Sequence, residues 1–335
     1  MRTPLTNLLK CRIPLFGASM AGCAGGALAA AVSKAGGFGF IGIAMPSNEY
    51  IDAQLDIARK ALGVESGRLP IGMGFLGWWL ESVADGETYI QRAAPQVQVV
   101  WLSFGRDLRK WYDVARAADA SVKIAVVVNT AAEALTAASW GADILIAQGV
   151  EAGGHGAAKG VPTISLLPVV FAALQAKYAT SRPVLLAAGG ISTGAQAAAA
   201  LALGADGAVI GTRLLATPEC IGYSDAQKNA IVAADESSTA RTMVFDEVRG
   251  TTGWPEGIDG RGLCNKTYYD DVAGRPFAEI KADFDVALKN GDVSRMVTWS
   301  GTSVGSVSSV KPAEVVIREL EDEMISSIRR IHDLI

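Results

Sequence analysis

The run Ala147-Gln148-Gly149-Val150-Glu151-Ala152-Gly153-Gly154-His155-Gly156 puts one of only two histidines on a glycine-rich loop, directly after an apolar strand at 142–148. An imidazole titrates near pH 6.5, so it takes up or releases a proton around neutrality. Glycines on both sides permit positive φ and let a ligand come close to the main chain. The second histidine, His332, sits near the end of a charged terminal helix. Histidine chemistry in this chain therefore falls to His155. Gln148 brings an amide that donates and accepts, for a heterocycle or for the strand end. Glu151 reads either as a carboxylate that tunes His155 or as a capping one.

Two more glycine loops invite an anion. One is Leu186-Ala187-Ala188-Gly189-Gly190-Ile191-Ser192-Thr193-Gly194, and the other is Val209-Ile210-Gly211-Thr212-Arg213. Each follows an apolar strand and leads towards a helix, whose N-terminal dipole favours negative charge. Thr212 adds a hydroxyl and Arg213 a positive charge. A single Gly-Gly is an ordinary tight turn, but two such loops on consecutive strands point to phosphate. The segments Gly17-Ala18-Ser19-Met20-Ala21-Gly22 and Gly72-Met73-Gly74-Phe75-Leu76-Gly77 carry small residues and methionine. These suit a flat aromatic ring resting on backbone, or close strand packing.

The elements that position these loops alternate from the start of the chain to about residue 235. Strand-like runs fall at 13–19, 38–44, 69–75, 97–104, 123–128, 142–148, 183–188 and 207–211, with alanine-rich helical stretches at 24–34, 50–62, 108–118, 131–140, 165–177 and 194–203. Near-continuous apolar strands are what a parallel sheet covered on both faces requires. Eight βα units predict a TIM barrel, with the two phosphate-type loops following strands seven and eight; an open doubly wound sheet satisfies the same alternation. From 214 to 310 the rhythm stops and aromatic and polar residues mix, which predicts a helical subdomain covering substrate. A last helix at 313–335 returns to the barrel, so the cofactor-binding domain comprises 1–213 and 311–335.

Composition bounds the rest. With 335 residues, 50% of them apolar and 19% charged, the chain can bury a large core, and its formal net charge of −4 excludes the basic face that nucleic acid demands. Cys11, Cys23, Cys220 and Cys264 show neither metal-ligand nor disulfide spacing. The first ten residues lack the apolar region of a secretory signal, and the apolar stretch 20–45 is broken by Ser33 and Lys34. These features predict a soluble intracellular protein, cytoplasmic and not embedded in membrane.

Taken together, the segments 13–20, 30–39, 148–155, 187–191, 211–213 and 299–305 resemble the nitronate monooxygenase family, formerly called 2-nitropropane dioxygenases, over nearly the whole chain. The Glu-Ala-Gly-Gly-His motif is shared more widely, with flavin-type enoyl-acyl-carrier-protein reductases and some flavin quinone reductases. The resemblance implies FMN in a TIM barrel, with its phosphate at the loops of strands seven and eight and its ring at the mouth. It assigns Met20, Gly74, Gln148, Gly153, Gly154, Gly189, Gly190, Gly211 and Thr212 to the cofactor. His155 matches the active-site histidine, expected to remove the α-proton of a neutral nitroalkane or to hold nitronate oxygens. The implied reaction oxidises nitronates with O2 to aldehyde or ketone and nitrite; the alternative is an NAD(P)H-dependent reductase of a quinone or enoyl thioester. A homodimer is compatible with either. Trp254, Tyr268, Tyr269 and Trp299 are candidates for an aromatic substrate pocket or for the subdomain's own core. Two positions depart from the family pattern: Ser19 stands where Ala-Pro-Met is usual, and Gly74 where many relatives carry asparagine.

Overall fold

The computed structural model describes residues 1–43 and 47–334. Six parallel strands come first: β1 (Leu15–Gly17), β2 (Phe40–Gly42), β3 (Leu69–Leu76), β4 (Val97–Ser103), β5 (Lys123–Val128) and β6 (Ile144–Gln148). A short strand β7 (Gly154–Ala157) stands outside their sheet, and β8 (Val184–Ala188) and β9 (Gly207–Ile210) complete it. The sheet runs β1-β9-β8-β6-β5-β4-β3-β2. It closes where Phe16 bridges Phe38 in parallel, with Gly17 N–H donating to the Phe38 carbonyl at 2.9 Å. All eight strands expected from the sequence are therefore present in a TIM barrel, β8 and β9 being its seventh and eighth. Ala44, at the end of the second expected strand, and Ile335, at the end of the last expected helix, lie outside the described residues.

Alternate residues of each strand face opposite ways. Phe16, Phe40, Val99, Trp101, Val127, Ile146, Leu186 and Val209 fill the inside of the barrel, while Leu15, Ile41, Met73, Val100, Leu102, Leu145 and Leu185 meet the surrounding helices. Phe16, Phe38, Phe40 and Trp101 pack ring against ring, with centroids 4.9 to 5.4 Å apart. Each such buried ring contributes about 2–3 kcal/mol of burial free energy. Gly72 is glycine because the Phe40 ring occupies the space of a Cβ there. An unanticipated helix, Pro4–Leu9, begins with a Thr3–Thr6 capping box and adds Leu5 and Leu9 to the interior cluster.

Among the described residues, only the helical stretch Thr163–Ser181 is long and apolar enough to cross a bilayer. It buries Leu166, Leu167, Val170 and Leu174 against the barrel, as an outer βα helix does. The final helix, Ala313–His332, also packs on the barrel.

The segment after β9 carries helices at Asp225–Ala233, Val244–Arg249, Lys266–Val272 and Phe277–Asn290. It also supplies two strands that the sequence reading lacks, β10 (Thr239–Thr242) and β11 (Ile258–Leu263). β11 pairs antiparallel with both β10 and β7, placing Gly260 opposite His155. The glycine-rich His155 segment is thus partly a strand. Its residues Gly-His-Gly-Ala have poor strand propensity, and the pairing exists only because the later segment lies alongside.

Candidate active site

One cavity opens at the carboxyl ends of the barrel strands. Met20, Gln148, Gly153, Gly154, His155, Gly189, Gly190, Gly211 and Thr212 all line it. Gly74 does not, because the side chain of Ser19, which does line the cavity, fills the place of a Cβ on Gly74. The deep wall is apolar, made of Trp101, Val127, Ile146, Ala188 and Val209 at the strand ends. Leu76, Trp78, Phe104, Arg249, Trp254 and Trp299 form other parts of the lining.

His155 is held on several sides. Its Nε2–H donates to the carboxylate of Asp246, 2.8 Å from Oδ2 and 3.0 Å from Oδ1. Asp246 is fully buried and also accepts from Thr251 Oγ1 at 2.8 Å and Trp254 Nε1 at 3.1 Å. The Trp299 ring meets the imidazole edge-on, with centroids 4.8 Å apart. Gln148 Nε2 donates to the His155 carbonyl at 3.1 Å, and Asn129 Nδ2 donates to Gln148 Oε1 at 3.3 Å. The bond to Asp246 leaves Nδ1 as the nitrogen without a proton, and among the described residues Nδ1 has no hydrogen-bond partner. Burial lowers the His155 pKa; the Asp246 carboxylate opposes this, and the positive charges of Arg249 and Arg241 add to it. At neutral pH His155 is an uncharged imidazole with one nitrogen available as a base.

Asp246 was not singled out in the sequence. It lies 91 residues after His155 on a short helix in the segment without βα rhythm, and the β7–β11 pairing, with Arg241 donating to the Gly156 carbonyl at 2.7 Å, brings the two segments together. Glu151 turns out to be the capping carboxylate of the two alternatives. It accepts from the Thr163 N–H at 2.9 and 3.0 Å and from Thr163 Oγ1 at 3.2 Å, fastening the loop to the start of the next helix.

The glycine loops of the seventh and eighth barrel strands meet at the cavity. Gly189 and Gly190 have φ of +101° and +71°, which exposes backbone where other residues would be strained. Thr212 Oγ1 accepts from Gly301 N–H at 2.9 Å, joining the eighth-strand loop to the segment 299–305. Two expectations for these loops are corrected. Arg213 does not face the cavity: its guanidinium donates to the Ser309 carbonyl at 3.1 Å and lies 4.0 Å from Glu319. The N-terminus of helix Gly194–Ala202 is not open to a ligand anion either, because Gly194 N–H donates to Glu323 at 2.7 Å and Thr193 caps Gln196. An anion here has the loop amides and not that helix end.

The aromatic candidates divide. Trp254 and Trp299 line the cavity. Tyr268 packs against the cluster of Val244, Phe245, Ile280 and Phe284, and Tyr269 is largely exposed. Of the scattered cysteines, Cys23 and Cys220 share one buried cluster, and Cys23 also lines the cavity. The neighbouring Cys220 and burial raise the Cys23 thiol pKa, and Cys23 in turn lowers that of Cys220.

A closed βα barrel with an apolar cleft, glycine-rich loops and a carboxylate-held histidine at its carboxyl face is the architecture of a barrel enzyme. The family model for nitronate monooxygenase matches residues 80–323, and the chain belongs to that family of oxidoreductases. It is 37% identical to the nitronate monooxygenase npaC of Metarhizium robertsii, over 89% of this chain and 87% of that protein. Identity to the nitronate monooxygenase of Neurospora crassa is 33%, over 92% and 88% of the two chains. Among solved structures, FabK from Thermotoga maritima superposes with a TM-score of 0.82 at 25% identity, covering 100% of both chains. A nitroalkane oxidase from Streptomyces ansochromogenes gives 0.78 at 27% identity, over 98% and 99%.

Proposed function

We propose that the protein is an FMN-dependent nitronate monooxygenase that uses O2 to convert alkyl nitronates, and neutral nitroalkanes after proton removal, to aldehyde or ketone and nitrite. The observation that carries the reading is the His155–Asp246 pair: a buried, neutral imidazole with a pinned tautomer, on the wall of a largely apolar cleft. The left-handed Gly189 and Gly190 and the glycine at 211, whose missing Cβ would approach only Ala18 and Met20, form the cradle that fits FMN. Loop amides of 189–190 and 211–212 would hold the phosphate, and the apolar strand ends and Met20 would carry the ring. Bound FMN supplies the electron acceptor and the site at which O2 reacts.

The chain's own groups do the rest. His155 Nδ1 takes the acidic α-proton of a neutral nitroalkane, and Asp246 stabilises the imidazolium that results. Trp254 and Trp299 exclude water above the substrate. Arg249, whose guanidinium lies 5.6 Å from the Trp299 ring centroid, attracts the nitronate anion. In this reading 1–213 and 311–335 bind the cofactor, and 214–310 covers the substrate.

The test is His155→Asn. It should retain FMN and lose about 10²- to 10⁴-fold in nitroethane turnover, as removal of a general base does, while oxidation of preformed ethyl nitronate falls much less. Unchanged nitroethane turnover rejects the base role. The wider sharing of the Glu-Ala-Gly-Gly-His motif keeps one rival, an NAD(P)H-dependent reductase of a quinone or enoyl thioester. Anaerobic mixing separates them: bleaching of the flavin by nitronate but not by NADH supports the monooxygenase, and rapid bleaching by NADH supports the reductase.

A further inference from the structure

Ser19 and Gly74, far apart in the sequence, are a single feature in space. Gly74 lies in β3 and Ser19 just after β1. A Cβ built on Gly74 would overlap Ser19 Oγ and fall 2.7 Å from Ser19 Cβ. No residue but glycine at 74 leaves the Ser19 side chain where it is. The side of the cavity around Ser19 is otherwise apolar, with Ala18, Met20, Leu76 and Trp101. Ser103, also on the wall, directs its hydroxyl to the Phe75 carbonyl at 3.5 Å. Ser19 Oγ makes no hydrogen bond among the described residues, and it lines the cleft.

We propose that Ser19 is a flavin-binding residue whose hydroxyl hydrogen-bonds the heterocyclic ring, and that Gly74 is its positioning residue. The inference rests on the flavin reading above. A hydroxyl both donates and accepts, so it suits either a ring carbonyl or a ring N–H. The side-chain volume absent at 74 is filled by a polar group reaching that space from the neighbouring loop.

The experiment is FMN titration of the full-length apoprotein, read by flavin fluorescence and absorbance, with thermal melting of each variant. S19A should bind FMN about 3- to 10-fold more weakly, the range of one neutral hydrogen bond, and shift the flavin absorbance. G74A should weaken FMN at least as much and lower the melting temperature. S19G/G74A should recover that melting temperature, because the overlap is gone, yet stay as weak for FMN as S19A. Wild-type affinity and spectrum in S19A, or a harmless G74A, overturns the assignment while leaving the flavin reading intact. Wild-type apoprotein that does not take up FMN overturns both.

Discussion

His155 lies flat against Trp254, with ring centroids 3.4 Å apart and planes 11° from parallel, and the same indole donates its N–H to Asp246, the carboxylate that holds His155. Imidazole, indole and carboxylate therefore fix one another. Replacing Asp246 by Asn keeps the shape but presents an amide that can donate to Nε2, which favours the tautomer with its proton on Nδ1 and blocks the base. Asp246→Asn should reduce nitroethane turnover by about 10²-fold or more, within the range for losing a positioned base, with a smaller effect on preformed nitronate. Steady-state rates on the two substrates check this. Equal losses on both would assign Asp246 to the fold alone.

Acid should act on this site in a defined direction. Burial sets the His155 pKa below its ordinary value, which is about 6.5 in an unfolded chain. Between those two values the unfolded state binds more protons, so stability falls as pH falls. The contribution of neutral His155 is complete above about pH 6.5 and is lost as pH drops through the folded value. Urea midpoints at pH 7.5 and 5.0 should therefore differ more in the wild type than in His155→Asn. For neutral nitroalkanes, the acid limb of kcat/KM should have its midpoint below 6.5, and lower still in Asp246→Asn.

Gly260 tests the pairing that assembles the site. A Cβ there would overlap the Trp299 ring and lie 3.3 Å from His155 Nε2. Trp299 has little room to withdraw, because His155, Phe245 and Arg249 surround its ring and its backbone N–H donates to Tyr223 Oη. Gly260→Ala should cost about 1–3 kcal/mol, as overpacking does, and reduce turnover of both substrates. A thermal melt and a rate on each substrate measure it, and an unchanged melting temperature would show that Trp299 moves freely.

Arg249 is exposed at the cavity wall and lies over Trp299. Its charge should help an anionic nitronate and leave a neutral nitroalkane indifferent. Arg249→Met should raise KM for nitronate several-fold, and rising ionic strength should shrink the difference from wild type, because exposed charges are screened beyond about 8–10 Å. Equal changes for both substrates would contradict this role.

The alternation of apolar strands and alanine-rich helices, readable along the chain, determined the barrel and its eight strands, because burial on both faces leaves a local mark in every strand. The glycine loops and His155 were legible for a similar reason: positive φ and close backbone approach demand particular residue types at particular places. What the sequence could not contain was the partnership of distant segments. Asp246, the β7–β11 pairing, Glu323 on Gly194 and the fit of Ser19 into Gly74 depend on contacts between residues far apart in the chain. Such contacts leave no periodicity to read, and Arg213, polar and well placed beside a glycine loop, shows the converse: the turn of the backbone sent its charge to Ser309 and Glu319 instead of the cavity. Local chemistry named the scaffold and the histidine; the packing of the inserted segment decided that histidine's tautomer, its charge and its company.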